Sequence, residues 1–356
     1  RTRCSVFFQD DGFGRSGLEG TRVALWNNGL AIHSNASYDR SLGDTSKALA
    51  DLSKRTPPEA VVVFAVTAPA VDFICSASLL PSWESVWYLL PSVVGEDFGD
   101  SLGGDCASRV RVFVSRTLPD PTNSSVGVVK AFQQSVDRRC GAAGACVYTS
   151  QALEGYLGAR LLLQAVSRAG SEMDAYSANP SDSFEPARRA AREALLQSIY
   201  DAGMFSFEKL RVGPYGGECG NAAEVGAVNL GCECNQGMHN VFLTELVPGT
   251  PQYLPSGVLV TPYGFVRRPE GDVFFESCGV SVEYRPQSEQ PIVFGQSASF
   301  SGDTAGLGTG MQRGIRAAFS FTNDRGGING KEVRLVSFDD GYNAARAISN
   351  TQEALS

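Results

Sequence analysis

Pro291-Ile-Val-Phe-Gly-Gln-Ser-Ala-Ser-Phe-Ser-Gly302 leads through Met311 to Asn323-Asp-Arg-Gly-Gly-Ile-Asn-Gly330 and then Val333-Arg-Leu-Val-Ser-Phe-Asp-Asp340. Ile292-Val-Phe294 is a short β-rich apolar run and reads as a strand. Gly295 to Gly310 is rich in Gly and Ser, the residues of turns. Met311 to Phe321 then carries apolar residues at 311, 315, 318 and 319, the spacing of one helix face. The turn at 323–330 returns the chain to a second strand, Val333 to Val336, and a final helix starts at Ala344. A strand, a crossover helix and a second strand make a β-α-β unit, so the fold class is α/β with a parallel sheet.

The same alternation opens the chain. Ser5-Val-Phe-Phe8 predicts a strand, Gln9 to Ser16 a turn, Gly17 to Asn28 a helix, and Leu30 to His33 a second strand. A helix from Thr45 to Lys54, capped by Asp44 or Thr45, precedes Ala60-Val-Val-Val-Phe-Ala-Val66. That run is nearly all apolar, as a strand buried on both faces of a parallel sheet must be. Further helices are predicted over 70–78, 126–136, 153–168 and 186–202, with strands over 86–90 and 109–115. The helix at 153–168 presents Leu157, Leu161, Leu162, Ala165 and Val166 as its stripe. From Gly213 to Gln290 the chain turns Gly-, Pro- and Cys-rich, with short strands at 241–246, 257–260 and 272–275, and reads as hairpin-like decoration held by disulfides. The expected domains are 1–212, a connection over 213–290, and the opening of another α/β domain over 291–356.

Composition narrows the function. At 356 residues the chain exceeds the ~100 to 200 residues of one typical domain. A charged fraction of 19% against 43% hydrophobic residues describes a folded chain, and a net charge of −8 without a basic stripe argues against nucleic acid. No run reaches the roughly 18 uninterrupted apolar residues of a membrane span. Arg1 at the start and a helical pattern at the end read as a fragment. Nine cysteines, several in loops such as Cys140 to Cys146 and Cys219, Cys232 and Cys234, point to disulfides in an oxidising compartment. Structural zinc is the rival, but Cys-x-x-Cys spacing is lacking and His239 is the only nearby His. Asn35-Ala-Ser37 and Asn123-Ser-Ser125 are glycosylation sequons.

No catalytic constellation stands out: His33 and His239 are the only histidines, and neither has a nucleophile pattern beside it. Gly306, Gly308 and Gly310 resemble a dinucleotide loop, but Met311 or Arg313 stands where the third Gly should be. A nucleotide-using doubly wound enzyme is the alternative that rests on this loop. Ser299, Ser301 and Gly302, feeding a helix N-terminus, could hold a carboxylate; a plain strand-to-helix turn is the equal alternative. Asp10-Asp11 and Asp339-Asp340 sit at predicted strand ends, where metal binding or acid/base work competes with the commoner capping role.

Two stretches carry a family resemblance. Residues 291–340 resemble the opening of the first lobe of the type 1 periplasmic solute-binding fold, as in branched-chain amino acid binding proteins and the receptor ectodomains called Venus flytraps. Cys4-Ser-Val-Phe-Phe-Gln-Asp-Asp-Gly-Phe-Gly-Arg-Ser-Gly17 through Ile74 resembles the start of the second lobe, and Leu153-Glu-Gly-Tyr-Leu-Gly-Ala-Arg160 a later long helix. The order is reversed relative to that family, so the chain is either permuted or cut from two consecutive modules, and Tyr253 to Gln290, which reads as an inter-module connection, favours the second. The Asp-Asp-Gly-Phe-Gly start, the Cys-rich insert and the Asp-Asp-Gly-Tyr342 end look most like the ectodomain of trypanosomatid receptor-type adenylate cyclases.

The resemblance implies three-layer α/β lobes that close on a small polar ligand, with Phe13, Thr67, Ala68 and Ser92 at the ligand from the second lobe. Ser92 lies near a position that is acidic in amino-acid-binding members, and Ser is not acidic. It also implies an extracellular receptor region without catalysis, cofactor or metal. The parent would be a longer, membrane-anchored, homodimeric cyclase whose span lies outside this chain. A surface interaction or dimerisation domain with a degenerate cleft is the remaining alternative.

Overall fold

Cys4 to Gln9 forms β1, and all six of its residues are buried. A strand buried along its whole length must be covered on both faces, and β1 lies inside an eight-stranded sheet. The computed structural model describes residues 2–95, 98–140, 146–170, 185–208, 210–213, 215, 237–238, 241–249, 253–261, 264–267, 291–328 and 330–354. Contacts divide the chain into two units: Arg1–Thr117 with Val241–Val260 and Gly264–Arg268, and Leu118–Asn240 with Thr261–Tyr263 and Pro269–Ser356.

In the first unit, β1 is followed by α1 (Gly12–Asn27), β2 (Ile32–Tyr38), α2 (Ser46–Ser53), β3 (Ala60–Phe64), α3 (Thr67–Ala77), β4 (Trp87–Pro91), α4 (Phe98–Arg109) and β5 (Arg111–Arg116). These five strands are parallel, each step crossing through a helix. Helix α1 begins five residues earlier than its apolar pattern predicts. The Asp11 carboxylate caps it at the Gly14 amide, 3.1 Å away, and a side chain at Gly14 would lie 1.9 Å from the Gln9 carbonyl oxygen. Of the two candidate caps for α2, Asp44 accepts from the Ser46 amide at 2.9 Å, while the Thr45 hydroxyl is turned to Asp72.

Inward from the strands, Phe7 stacks on Phe73 at 4.0 Å and on Tyr38 at 5.3 Å, and Val61, Val63, Leu90, Val112 and Val114 fill the same core. Each fully buried large apolar side chain contributes about 1.5–3 kcal/mol. Cys75 of α3 and Cys106 of α4 are disulfide-bonded, with Cα atoms 5.5 Å apart. Helix α4 bends at Gly103, whose φ of 68° no helix accommodates.

In the second unit, α5 (Gly127–Cys140), α6 (Ser150–Ala169) and α7 (Glu185–Ala202) precede the antiparallel pair β6 (Phe205–Phe207) and β7 (Leu210–Val212). Cys140 and Cys146 are bridged. On α6, Leu157, Ala165 and Val166 are buried as predicted, but Leu163 takes the place given to Leu161 and Leu162.

Strand β8 (Val241–Leu246) returns to the first unit. It pairs antiparallel with β5, and β9 (Tyr253–Thr261) and β10 (Gly264–Arg267) follow it, giving the order β10-β9-β8-β5-β4-β3-β1-β2. The strands predicted near 241 and 257 are therefore a continuation of the main sheet and not a separate decoration. Arg111 anchors the join, pairing with Glu245 at 2.9 Å and lying 4.3 Å over the Trp87 ring. The strand predicted at 272–275, Cys219, Cys232, Cys234 and His239 lie outside the described residues.

The chain ends in the second unit with β11 (Ile292–Ala298), α8 (Ala305–Asn323), β12 (Val333–Asp339) and α9 (Ala344–Ala354), the two strands being parallel. Helix α8 starts before the predicted Met311, so Gly306, Gly308 and Gly310 are helical and form no phosphate loop. Their use is contact. A side chain at Gly314 would lie 1.7 Å from the Ala152 carbonyl oxygen, and one at Gly155 would lie 2.2 Å from that of Met311. The backbones of α6 and α8 touch because both helices lack side chains there. The hairpin after α8 turns on Gly327, with φ of 74°.

Candidate functional site

The carboxyl ends of β1, β3 and β4 lie on one edge of the first unit's sheet, the edge at which parallel sheets receive ligands. Gln9 ends β1 fully buried; its side chain accepts from the Tyr38 hydroxyl at 3.0 Å and donates to Asp11 at 2.5 Å. Asp11 is thereby fixed as the cap of α1, and Asp10 pairs with Arg15 at 2.8 Å. The Asp10-Asp11 pair is engaged in ordering the turn, the capping use set against metal or acid/base work. Phe13, in the first turn of α1, is half-buried and meets the Phe64 ring edge-on at 6.1 Å.

Past β3, Val66 caps α3 through its backbone alone. The Thr67 hydroxyl donates to the Val94 carbonyl at 2.8 Å, which ties the start of α3 to the turn Ser92–Val94 after β4. Ser92 is half-buried and engaged, and Ala68 is exposed. Thr67 and Ala68 also line a hollow of about 480 Å³ with Val71, Asp72, Cys75, Ser76 and Ser101, along one face of α3. The Asp72 carboxylate at its wall accepts from the buried Thr45 hydroxyl. Sequence reasoning missed Asp72, Ser101 and the Gln9–Tyr38 pair. A Gln closing a mostly apolar strand is the one signal for the Gln9–Tyr38 pair, and Asp72 and Ser101 had none.

In the second unit, Ser299 follows β11 and is 7% exposed. Its hydroxyl donates to the Ser301 carbonyl at 2.9 Å and shares a 2.8 Å hydrogen bond with Thr304. Ser301 and Gly302 are exposed, and Gly302 has φ of 72°. The Ser301 hydroxyl, with the amides of Phe300 and Gly341, holds the Asp339 carboxyl below the usual carboxylate range. Asp340 accepts from Ser297 at 2.9 Å and from the Tyr342 amide at 2.8 Å. Both aspartates thus bind the turn after β12 to β11 and its following turn. Among the described residues no group of three or more His, Cys, Asp or Glu could hold a metal ion, and no helix is long and apolar enough to cross a membrane.

Of the residues expected at a ligand, Thr67 and the Ser92 turn are brought together, with Ala68 beside Thr67 and Phe13 on the same sheet edge. Ser299, Ser301 and Gly302 form a separate turn in the second unit.

Residues 291–356 match the model of a family described as periplasmic binding protein. Among solved structures, an ABC transporter substrate-binding protein of Aeropyrum pernix is 12% identical, with 76% of this chain and 61% of that chain covered and a TM-score of 0.52. A possible leucine/isoleucine/valine-binding protein of Rhodopirellula baltica SH 1 is 21% identical, covering 71% of this chain and 58% of that one at a TM-score of 0.50. A substrate-binding periplasmic protein of Ralstonia solanacearum is 21% identical, covering 75% and 61%, at a TM-score of 0.46. This chain spans about three fifths of the length of those structures. No curated protein matches it. The fold is mixed α/β with a parallel-dominated sheet, of the type 1 periplasmic-binding-protein kind.

Proposed function

We propose that the chain is part of an extracytoplasmic ligand-recognition region that takes a small polar solute and performs no chemistry on it. The observation that carries this reading is the joining of Thr67 to the Ser92–Val94 turn at the ligand edge of the parallel sheet. The descriptions of the Aeropyrum and Rhodopirellula proteins as binders of transported substrates and of branched-chain amino acids agree with a small solute. Ser92 itself offers no charge to an ammonium group; the carboxylate lining the hollow beside Thr67 and Ala68 is that of Asp72.

In the same reading the chain belongs to a longer receptor on the extracellular face of the plasma membrane, homodimeric and joined to an adenylate cyclase. The close seam of α6 with α8 supports a permuted order over a cut from two modules, because residues 150–169 and 305–323 share one unit.

Calorimetric titration and thermal-shift screening of the chain against small carboxylates, sugars and amino acids test the binding. A saturable ligand whose binding is lost in Ala68→Trp is the expected result; a panel without any stabilising compound would remove the reading. A second reading, a surface for dimerisation with a degenerate cleft, is favoured by one observation: the Ser299 hydroxyl is buried and closed on Ser301 and Thr304. Sedimentation without ligand separates the two.

A further inference from the structure

We propose that Asn123 is an acceptor of an N-linked glycan. This rests on the extracytoplasmic reading above. Four of the five cysteines among the described residues are joined in two disulfides, Cys75–Cys106 and Cys140–Cys146, the state of an exported chain. The sequence offers two acceptor tripeptides with no Pro in the middle, Asn35-Ala-Ser37 and Asn123-Ser-Ser125.

The structure distinguishes them. Asn123 stands in the loop between β5 and α5, and residues 122–125 are all exposed. Its Oδ1 accepts from the Ser125 amide at 3.1 Å and from the Ser125 hydroxyl at 2.6 Å. The preceding Asp120 does the same for Thr122, at 2.8 and 2.7 Å. The backbone bonds of the loop are equally local, Asn123 to Asp120 at 3.1 Å and Val126 to Asn123 at 3.2 Å. The oxygen of the Asn123 amide therefore holds the turn, and its nitrogen has no hydrogen-bond partner among the described residues. Replacing one N–H by an N–C bond to a sugar leaves every bond of the turn in place. Asn35 is also exposed, but it lies within β2, opposite Val6 in the sheet register. A transferase can engage the loop at Asn123 in the folded protein, whereas reaching Asn35 in an active-site groove requires pulling β2 off β1.

The co-reactant is a lipid-diphosphate-linked oligosaccharide of the secretory lumen. The Asn123 Nδ2 forms a bond to the anomeric carbon, the bond from that carbon to the diphosphate oxygen breaks, and the amide proton leaves with the lipid diphosphate.

The test is to secrete the full chain from a eukaryotic host behind a cleavable leader and compare intact masses before and after peptide N-glycosidase. Asn123→Asp keeps the Oδ1-type acceptor and hence the turn, so it removes the glycan without removing the fold; Asn35→Asp serves as its counterpart. The expected result is loss of one oligosaccharide in N123D, its retention in N35D, and retention in Ser125→Thr, which keeps the tripeptide. Wild-type protein unmodified at Asn123, or N123D with the same glycan mass as wild type, would overturn the proposal. Because the leader places the chain in the lumen, such a failure counts against the acceptor and not against the native location, which surface labelling of the parent cell decides.

Discussion

Asn323 holds both backbone polar groups of Val333: its Oδ1 accepts from the Val333 amide at 2.8 Å and its Nδ2 donates to the Val333 carbonyl at 2.9 Å. The last residue of α8 thereby fixes the first residue of β12, and the Asn-x-x-Gly-Gly-Ile-x-Gly hairpin closes around this contact. Asn323→Ala removes both bonds and leaves part-buried backbone groups unmatched, a loss of about 1–3 kcal/mol. Urea unfolding of the variant, with an unchanged slope, measures it.

Two glycine-to-alanine changes should act with opposite sign. At Gly314 the new Cβ lies 1.7 Å from the Ala152 carbonyl oxygen, so α6 and α8 must part. A loss of about 2 kcal/mol or more is expected. At Gly158, mid-helix and exposed with nothing within 4 Å, the same change stabilises by about 0.5–1 kcal/mol. Thermal melts of the two variants provide the comparison, and equal effects would contradict the seam.

The two disulfides differ in the loops they close, with sequence separations of 31 for Cys75–Cys106 and 6 for Cys140–Cys146. Chain-entropy reasoning assigns about 2–4 kcal/mol to a typical bridge, with more for the longer loop. Cys75→Ala with Cys106→Ala should therefore lower the unfolding midpoint further than Cys140→Ala with Cys146→Ala.

Asp339 contributes a pH dependence whose sign follows from its surroundings. Its folded pKa is depressed by Ser301, Phe300 and Gly341, so its stabilisation is present above the unfolded value of about 3.9 and is lost as pH falls through the folded value. Denaturant midpoints of wild type and Asp339→Asn, followed downward from pH 6, should converge in acid. Parallel curves would deny Asp339 its role as a staple.

How much of this was legible in sequence depended on where the physical signal resided. The apolar run at Ser5–Phe8 announced a strand, the nearly all-apolar run at Ala60–Val66 announced a buried parallel one, and the hairpin at 323–330 announced its turn, because these patterns are local. The start of α8 was not legible. Gly306, Gly308 and Gly310 have poor helix propensity, and the contact of Gly310 with Gln151 and Ala152 of α6 lies at a sequence distance no local window contains. Likewise the sequence left Ser299 open between a ligand-facing hydroxyl and a plain turn, and the structure closes its hydroxyl on Thr304 and the Ser301 carbonyl. Asp72 gave no signal, since only the folded chain brings Thr45 to it.

The seam between α6 and α8 also sets an order of events. The face of α6 bearing Ala152 and Gly155 meets Gly314 and Met311, which are synthesised much later. At roughly 5–20 residues per second, α6 waits on the order of 10 s for its partner. The first unit can close β1 to β5 as soon as Thr117 has emerged, while α6 must be kept from aggregating through that interval. A nascent chain halted before Ala305 should therefore hold a protected parallel sheet beside helices that still bind chaperone.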